Sequence, residues 1–301
     1  MIVEFKLYCK GLTDRDIASI FEEFYGPNYS KSSVSRLATE FTEERKAWQT
    51  KSLNNEYLAV LVDALWLPVC RGSVSKEAFY VMIGLRKDFT RDILSVWTFP
   101  EESASGWKEM LQDVKNRGVE KIMTLTSDGL TGMKEAIRSV FPSTSYQRCI
   151  VHKERNVLTR VRHDDKKEVA LDLKVVFNLN ITEDSINDGK VRIDTFLDKW
   201  AKKYPKLLDI FPEDELADYF TYVKYPYNFR RMIYTTNWVE SLNKKIRRTT
   251  KIRNSFPNED SALNLVCACL MDLEENNYHK YKVTSLNKEK DKLIELINEV
   301  K

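Results

Sequence analysis

The sequence predicts an α/β domain interrupted by an all-helical insertion, and three patterns point to that class. Residues 57–99 carry three β-branched and aromatic runs, YLAVLVDALWL, EAFYVMIGL and DILSVWTF, separated by polar or glycine-containing breaks. Residues 105–151 then alternate helical and strand periods. From about 153 to 225 the spacing of apolar residues is helical throughout, as in KEVALDLKVVFNL and IDTFLDKWAKKYPKLLDIF.

Taken in order, the chain opens with a helix pair over 11–48. Thr13 precedes DRDIASIFEEF with Asp16 three residues on, a capping-box spacing, and Gly26-Pro27 breaks the run before Ser30 opens a second helix around SSVSRLATEF. Such a pair is either a helix-turn-helix whose second helix enters a major groove, or a plain helical hairpin packed on the main domain. After the three strands come the helix SGWKEMLQDVKNRG with Gly118 as its stop, the strand KIMTLT, the turn SDG, the helix TGMKEAIRSVF and the strand TSYQRCIV. Three strands followed by such alternation is the order of a ribonuclease H-like domain. Beyond the insertion, YTTNWVESLNKKIRRTTKIR has Thr and Asn cap candidates and becomes strongly basic, and the tail from 259 is again helical. The expected division is therefore 1–50 as a helical DNA-binding segment, 51–152 as the first part of the α/β domain, 153–225 as the insertion, and 226–301 as a late helix and tail.

Bulk properties narrow the function classes. With 301 residues, 43% apolar content and only 9 Gly and 8 Pro, the chain buries a large core and is neither disordered nor fibrous. Its formal charge of +3 arises from 48 basic and 45 acidic side chains, so affinity for nucleic acid has to come from local clustering. Five irregularly spaced cysteines fit a reducing compartment. MIVEFKLYCKGLTDRD offers no signal-peptide segment, and the longest apolar stretches fall short of the ~20 residues of a membrane span. The expectation is a cytoplasmic, nucleoid-associated protein with no membrane partner.

Asp63 interrupts an otherwise apolar strand, where an unpaired carboxylate is costly to desolvate, so it holds a metal ion, pairs with a Lys or Arg, or lies at a strand end in water. Asp128 follows a buried strand in an Asp-Gly turn, which is either ordinary turn chemistry or a functional carboxylate at a strand's C-terminal end. Glu240 lies between Val239 and Leu242, just inside a helix whose next turns bear Lys244, Lys245, Arg247 and Arg248. A carboxylate for metal followed by positive charge for the DNA backbone is what phosphodiester chemistry requires.

The stretches VDALW, SKEAFYVMIGL, TSDGLTGMKEAI, VFPSTSYQRCIVHKERN, KWAKKYPK, RRMIYTTNWVESLNKKIRR and SFPNEDSALNLV, in this order, resemble the Mutator-type transposases of bacterial insertion sequences. The resemblance runs from about residue 9 to about 270 and implies a ribonuclease H-like fold with a helical insertion between the second Asp and the Glu. It implies an acidic triad that maps by motif onto Asp63, Asp128 and Glu240, holding two Mg²⁺ or Mn²⁺ ions that serve hydrolysis of a transposon-end phosphodiester and then strand transfer. It also implies terminal inverted repeats and target DNA as partners, and a homodimer that pairs two ends. Family members carry a longer N-terminal region for end recognition, and GLRKDF here replaces an Asp-Gly turn common among them.

Further candidates surround the triad. Cys149 and His152 form the C-x-x-H of QRCIVH, half of a zinc site without a well-spaced second pair, and are expected to shape the active site or contact DNA. Trp238 either stacks on an unpaired base near the cleaved bond or packs in the core. Arg148, Arg155, Arg230 and Arg231 flank the motifs as candidate phosphate contacts. Two rival functions share part of this pattern: a truncated or domesticated transposase that only binds DNA, and another ribonuclease H-like nuclease such as a junction resolvase. A pure binder has no use for buried carboxylates, and strand joining separates a resolvase from a transposase.

Overall fold

The structure, a computed structural model, describes residues 7, 10–12, 14–25, 41–98, 103–181, 183–250 and 255–300. Its frame is a five-stranded sheet in the order β3-β2-β1-β4-β5. The long strand β1 (Glu56–Arg71) takes the centre because residues 57–62 are apolar and fully buried, which only a strand covered on both faces can satisfy. It pairs antiparallel with β2 (Ser73–Leu85), which pairs antiparallel with β3 (Arg91–Thr98). On its other side β1 runs parallel to β4 (Lys121–Ser127), and β4 parallel to β5 (Ser145–Arg148). Gly72 turns the β1–β2 hairpin at φ +82°, a region side-chain-bearing residues avoid.

Helices cover both faces. At the N-terminal side of the chain lie α1 (Asp14–Tyr25) and α2, over residues 41–49. The crossover helices α3 (Ala104–Asn116) and α4 (Met133–Val140) link β3 to β4 and β4 to β5, and bury Trp107, Met110, Leu111, Met133 and Ile137 against Val60, Val62, Tyr80 and Met82. Trp107 stands edge-on to Tyr80 at 4.6 Å and donates its indole N–H to the Thr131 carbonyl at 2.9 Å, fixing the loop after β4. The opposite face carries the later helices: α5 (Ile150–Thr159), α6 (Lys166–Val176), α7 (Ile186–Trp200), α8 (Tyr227–Ile233), α9 (Asn237–Thr250), α10 (Glu259–Leu273) and α11 (Lys290–Glu299). Between α7 and α8 the chain runs in short helical turns around Leu207, Phe220 and Tyr222, all fully buried. Ala59, Leu61, Leu65, Leu67 and Val69 of β1 feed this larger core. Asp63 occupies the same row.

Two elements differ from the sequence reading, and a third lies mostly outside the described residues. The run TSYQRCIV is strand only to Arg148; Cys149 is the N-cap of α5 and Ile150 and Val151 are helical, because the next turn packs Ile150 and Val157 into the core. The first two strands outrun the sheet. Beyond Val62 and before Phe79, no other strand of the sheet lies beside the β1–β2 hairpin among the described residues; Val69 instead bridges to Phe256, and Pro68 is tolerated in β1 because it takes part through its carbonyl, which accepts from the Phe256 amide. Of the N-terminal pair, the first helix is described, whereas most of SSVSRLATEF lies outside the described residues. The α2 helix is docked on the main body through Arg45 to Asp260 at 3.4 Å and the Trp48 indole to Glu274 at 2.7 Å.

Candidate active site

The parallel register builds the site. Val62 pairs with Ser127 and Ser127 with Arg148, so the next residues along β1, β4 and β5 are Asp63, Asp128 and Cys149, in one row where β4 and β5 stop. The Cys149 amide donates to the Ser127 carbonyl at 2.8 Å and closes the row. The helix that starts there, α5, carries His152 and, one turn on, Arg155. Opposite them α9 supplies Glu240 in its first turn.

Contacts link Asp128, His152, Glu240 and Arg155, and Asp63 lies within their electrostatic reach. His152 sits between two of the carboxylates, Nδ1 3.9 Å from Asp128 Oδ1 and Nε2 3.6 Å from Glu240 Oε1. Arg155 grips Glu240 with both terminal nitrogens, at 2.9 and 3.1 Å. Asp63, 8% exposed, accepts from Asn243 Nδ2 at 2.9 Å. Asp128 accepts from the Gly129 amide at 2.8 Å, a local turn bond that aims it at solvent. Gly132 is required by the loop that holds Asp128: its φ is +80° and a Cβ there would meet the Ala104 backbone at 2.7 Å.

The electrostatics follow from crowding three acids at a partly buried edge. Burial pushes the Asp63 carboxyl up to about 6; the His152 charge pulls the other way, and Glu240 and Asp128 add to the rise. His152 is raised to about 9, chiefly by its hydrogen bond with the Cys149 sulfur at 3.3 Å, against burial, with Cys149, Asp128 and Asp63 adding their fields. Burial pushes the Cys149 thiol up, but bonding to His152 more than reverses it, and its value is lowered. Asp63, Asp128 and Glu240 are hard-oxygen donors of the kind Mg²⁺ or Mn²⁺ takes, brought to one end of the sheet, although among the described residues the acidic group whose ligand atoms already close to within 4.8 Å is a different one. Two further observations fit a cation here: Asp63 resists ionisation despite His152, and Asn243 Oδ1, deeply buried beside it, has no hydrogen-bond partner within the protein.

Another acidic group invites comparison. Asp92, Glu274 and His279 have ligand atoms all within 4.8 Å of one another. Their oxygens are already committed: Asp92 to Arg86, to the Tyr57 hydroxyl at 2.7 Å and to His279 at 2.9 Å, and Glu274 to Lys51, to the Trp48 indole and to the Ile93 amide at 2.7 Å. With two basic side chains in place, this group balances its own charge and ties β3 to the end of α10.

Among the other residues singled out by sequence, Lys244, Lys245, Arg247 and Arg248 are exposed on α9, opposite the face formed by Val239, Leu242, Asn243 and Ile246. Arg148 points inward, bonded to Glu215 at 2.7 Å with its guanidinium over Tyr219. Arg230 is buried and donates to the carbonyls of Ile181, Val223 and Tyr225, whereas Arg231 is exposed. Trp238 is partly buried against the larger core, with Arg91 5.4 Å above its ring. Sequence reasoning passed over Asn243, although its place between Val239, Leu242 and Ile246 marks it as facing inward. It also passed over Trp66, 49% exposed on the side of β1 opposite Leu65 and Leu67, because nothing in the sequence shows that β1 runs on past β4.

The family described as "Transposase, Mutator family" matches residues 1–280. The chain is 32% identical over 256 residues to the transposase for insertion sequence element IS1201 of Lactobacillus helveticus, covering 85% of this chain and 68% of that protein. It is 32% identical over 273 residues to the ISRM3 transposase of Rhizobium meliloti, covering 89% and 66%, and 30% identical over 275 residues to the IS256 transposase in transposon Tn4001 of Staphylococcus aureus, covering 90% and 69%. It thus spans about two thirds of the length of these relatives. Among solved structures, a chain of the Drosophila P element transposase strand transfer complex aligns at a TM-score of 0.34 with 12% identity, covering 94% of this chain and 82% of that one, a likeness too low to carry an argument about fold.

Proposed function

We propose that this chain, which belongs to the Mutator family of transposases, binds the terminal inverted repeats of an insertion sequence and catalyses metal-dependent strand cleavage and strand transfer as a DDE transposase. The observation that carries the reading is the convergence of Asp63, Asp128 and Glu240, from three separated stretches of chain, on one end of the sheet around His152. We read the sheet as ribonuclease H-like, because three antiparallel strands are followed by two that run parallel to the central one, in the order 3-2-1-4-5. The helices over 153–225 are then its insertion, between the second Asp and the Glu.

In this reading Asp63, Asp128 and Glu240 hold two Mg²⁺ or Mn²⁺ ions. Bound divalent ions supply activation of the attacking oxygen and stabilisation of the departing one. The chain's own part is positioning. Asn243 fixes the Asp63 carboxylate, the Gly129–Gly132 turn presents Asp128 to solvent, and α9 carries Glu240 at its start and a basic face beyond it. Lys244, Lys245, Arg247 and Arg248 then follow the phosphate backbone, with Cys149 and His152 shaping the floor of the site. Acting on two ends calls for two subunits, so a homodimer working in the cytoplasm on inverted repeats and target DNA completes the proposal; no helix among the described residues is long and apolar enough to cross a membrane.

The test is cleavage and joining of labelled DNA carrying the inverted repeats that flank the gene. Activity is expected in Mg²⁺ and Mn²⁺, absent in EDTA, and lost in Asp63→Asn, Asp128→Asn and Glu240→Gln while DNA binding persists. Activity surviving EDTA, or full activity of Asp128→Asn, refutes the metal triad.

A further inference from the structure

Glu240 is the one carboxylate of the cluster gripped by a guanidinium. Arg155 binds both of its oxygens side by side, at 2.9 and 3.1 Å, the bidentate fork that an arginine forms with a carboxylate and equally with a phosphate. That fork uses the lone pairs a cation needs. The two partners differ in exposure: the Glu240 side chain is 12% exposed and that of Arg155 55%. The acid is therefore sheltered at the cluster while its partner reaches water on the side from which a DNA backbone approaches α9. His152, one turn before Arg155 on α5, lies 3.6 Å from the same carboxylate.

We propose that Arg155 is a positioning residue that occupies Glu240 in the absence of DNA and releases it when a DNA phosphate takes the guanidinium, so that the cation site is completed on DNA. This rests on reading Asp63, Asp128 and Glu240 as the metal ligands. A guanidinium has five N–H donors and Glu240 takes two, so a phosphate engages the group before the carboxylate is given up. An ion pair with one exposed partner contributes little net stability, which makes the exchange easy. Arg155 sits on a different helix from Glu240, 85 residues away in sequence, so the exchange needs only its side chain to swing. The consequence is economy of cutting: protein not engaged with DNA holds its ions weakly.

The experiment measures Mn²⁺ binding to the full chain by calorimetry, with and without a random-sequence DNA duplex whose own Mn²⁺ uptake is subtracted. Arg155→Ala is expected to bind Mn²⁺ about tenfold more tightly than wild type without DNA, because a cation a few ångströms from the ion has been removed. Adding duplex should tighten Mn²⁺ binding several-fold in wild type and little in Arg155→Ala. Arg155→Lys should lie between, since an ammonium cannot span both oxygens. DNA-free affinity that is unchanged or weaker in Arg155→Ala overturns the proposal. Asp128→Asn separates the two levels: if it leaves Mn²⁺ binding intact, the metal-ligand reading itself fails, whereas loss of binding there with no gain in Arg155→Ala leaves that reading standing and sinks only the exchange.

Discussion

Asn243 donates its side-chain amide to Asp63 at 2.9 Å, joining two residues 180 positions apart. Because Asn243 lies three residues after Glu240 on α9, the helix that contributes the third carboxylate also anchors the first. The same side chain leaves its Oδ1 buried and without a partner within the protein.

Asp63→Asn should therefore stabilise the metal-free protein at neutral pH. Asp63 has a folded value of about 6, above its unfolded one near 3.9, so the folded state favours the protonated acid. Stability from this group is present below about pH 4, is lost as pH rises to about 6, and above that its ionised form costs roughly 3 kcal/mol. Asn removes that cost and offers a donor to the partnerless Asn243 Oδ1. Melts in EDTA should show Asp63→Asn above wild type at pH 7.5, with the gap narrowing at pH 5. In Mn²⁺ the order should reverse, since only wild type gains from binding. A variant that melts below wild type at pH 7.5 in EDTA contradicts the argument.

His152 titrates in the opposite sense. Its bond with Cys149 and the nearby Asp128 and Asp63 raise it to about 9, so its contribution is fully present below about pH 6.5 and disappears as pH climbs through 9. The melting difference between wild type and His152→Asn should be largest near pH 6.5 and close to nothing at pH 9.5. Because the side chain is partly exposed, the effect should be modest and shrink with added salt. A difference that stays constant over this range would show that His152 acts by shape alone.

Much of this site could be read from the sequence, and what could not has a common cause. Asp63 stood out because a carboxylate in an apolar run is expensive, and the row it occupies, with Leu61 and Leu65, stays buried past the end of β4. The order of strands and helices followed from periodicity. What periodicity cannot supply is the identity of the facing surface. Arg155 and Arg148 look alike in QRCIVHKERN, yet one reaches Glu240 and the other is held inside by Glu215. The ends of strands were misjudged where tertiary contacts decide them, after Leu67, where a bridge from Val69 to Phe256 carries the strand past Pro68, and at Cys149, where core packing starts a helix.

The basic face of α9 should set the salt dependence of DNA binding. Lys244, Lys245, Arg247 and Arg248 are exposed together, and every phosphate that a basic side chain neutralises steepens the log–log fall of affinity with salt by about 0.9. Replacing all four with Gln should flatten the slope by up to about 3.6 while leaving the melting temperature nearly unchanged. An unchanged slope places this face away from DNA.

The two acidic clusters should respond oppositely to removal of charge, and this contrast separates a metal site from a structural one. Asp92 is buried and surrounded by Arg86, Tyr57 and His279, and Glu274 by Lys51, Trp48 and the Ile93 amide, so each acid already has its counter-charge. Breaking a buried pair from one side strands the other charge at a cost of roughly 3–5 kcal/mol, so Asp92→Asn should lower the melting temperature by roughly 5–8 °C. Glu274→Gln should do likewise, because α2 and α10 both depend on it through Trp48 and Lys51. Neither change should alter Mn²⁺ affinity, since no lone pair of that cluster is offered to an ion. Asp128→Asn should do the reverse, keeping the melting temperature in EDTA and abolishing Mn²⁺ binding, because its carboxylate faces solvent and is tied only to the Gly129 amide and, at longer range, His152. Loss of Mn²⁺ binding in Asp92→Asn, at a temperature where that variant is still folded, would move the metal to the other end of the sheet and reassign the site.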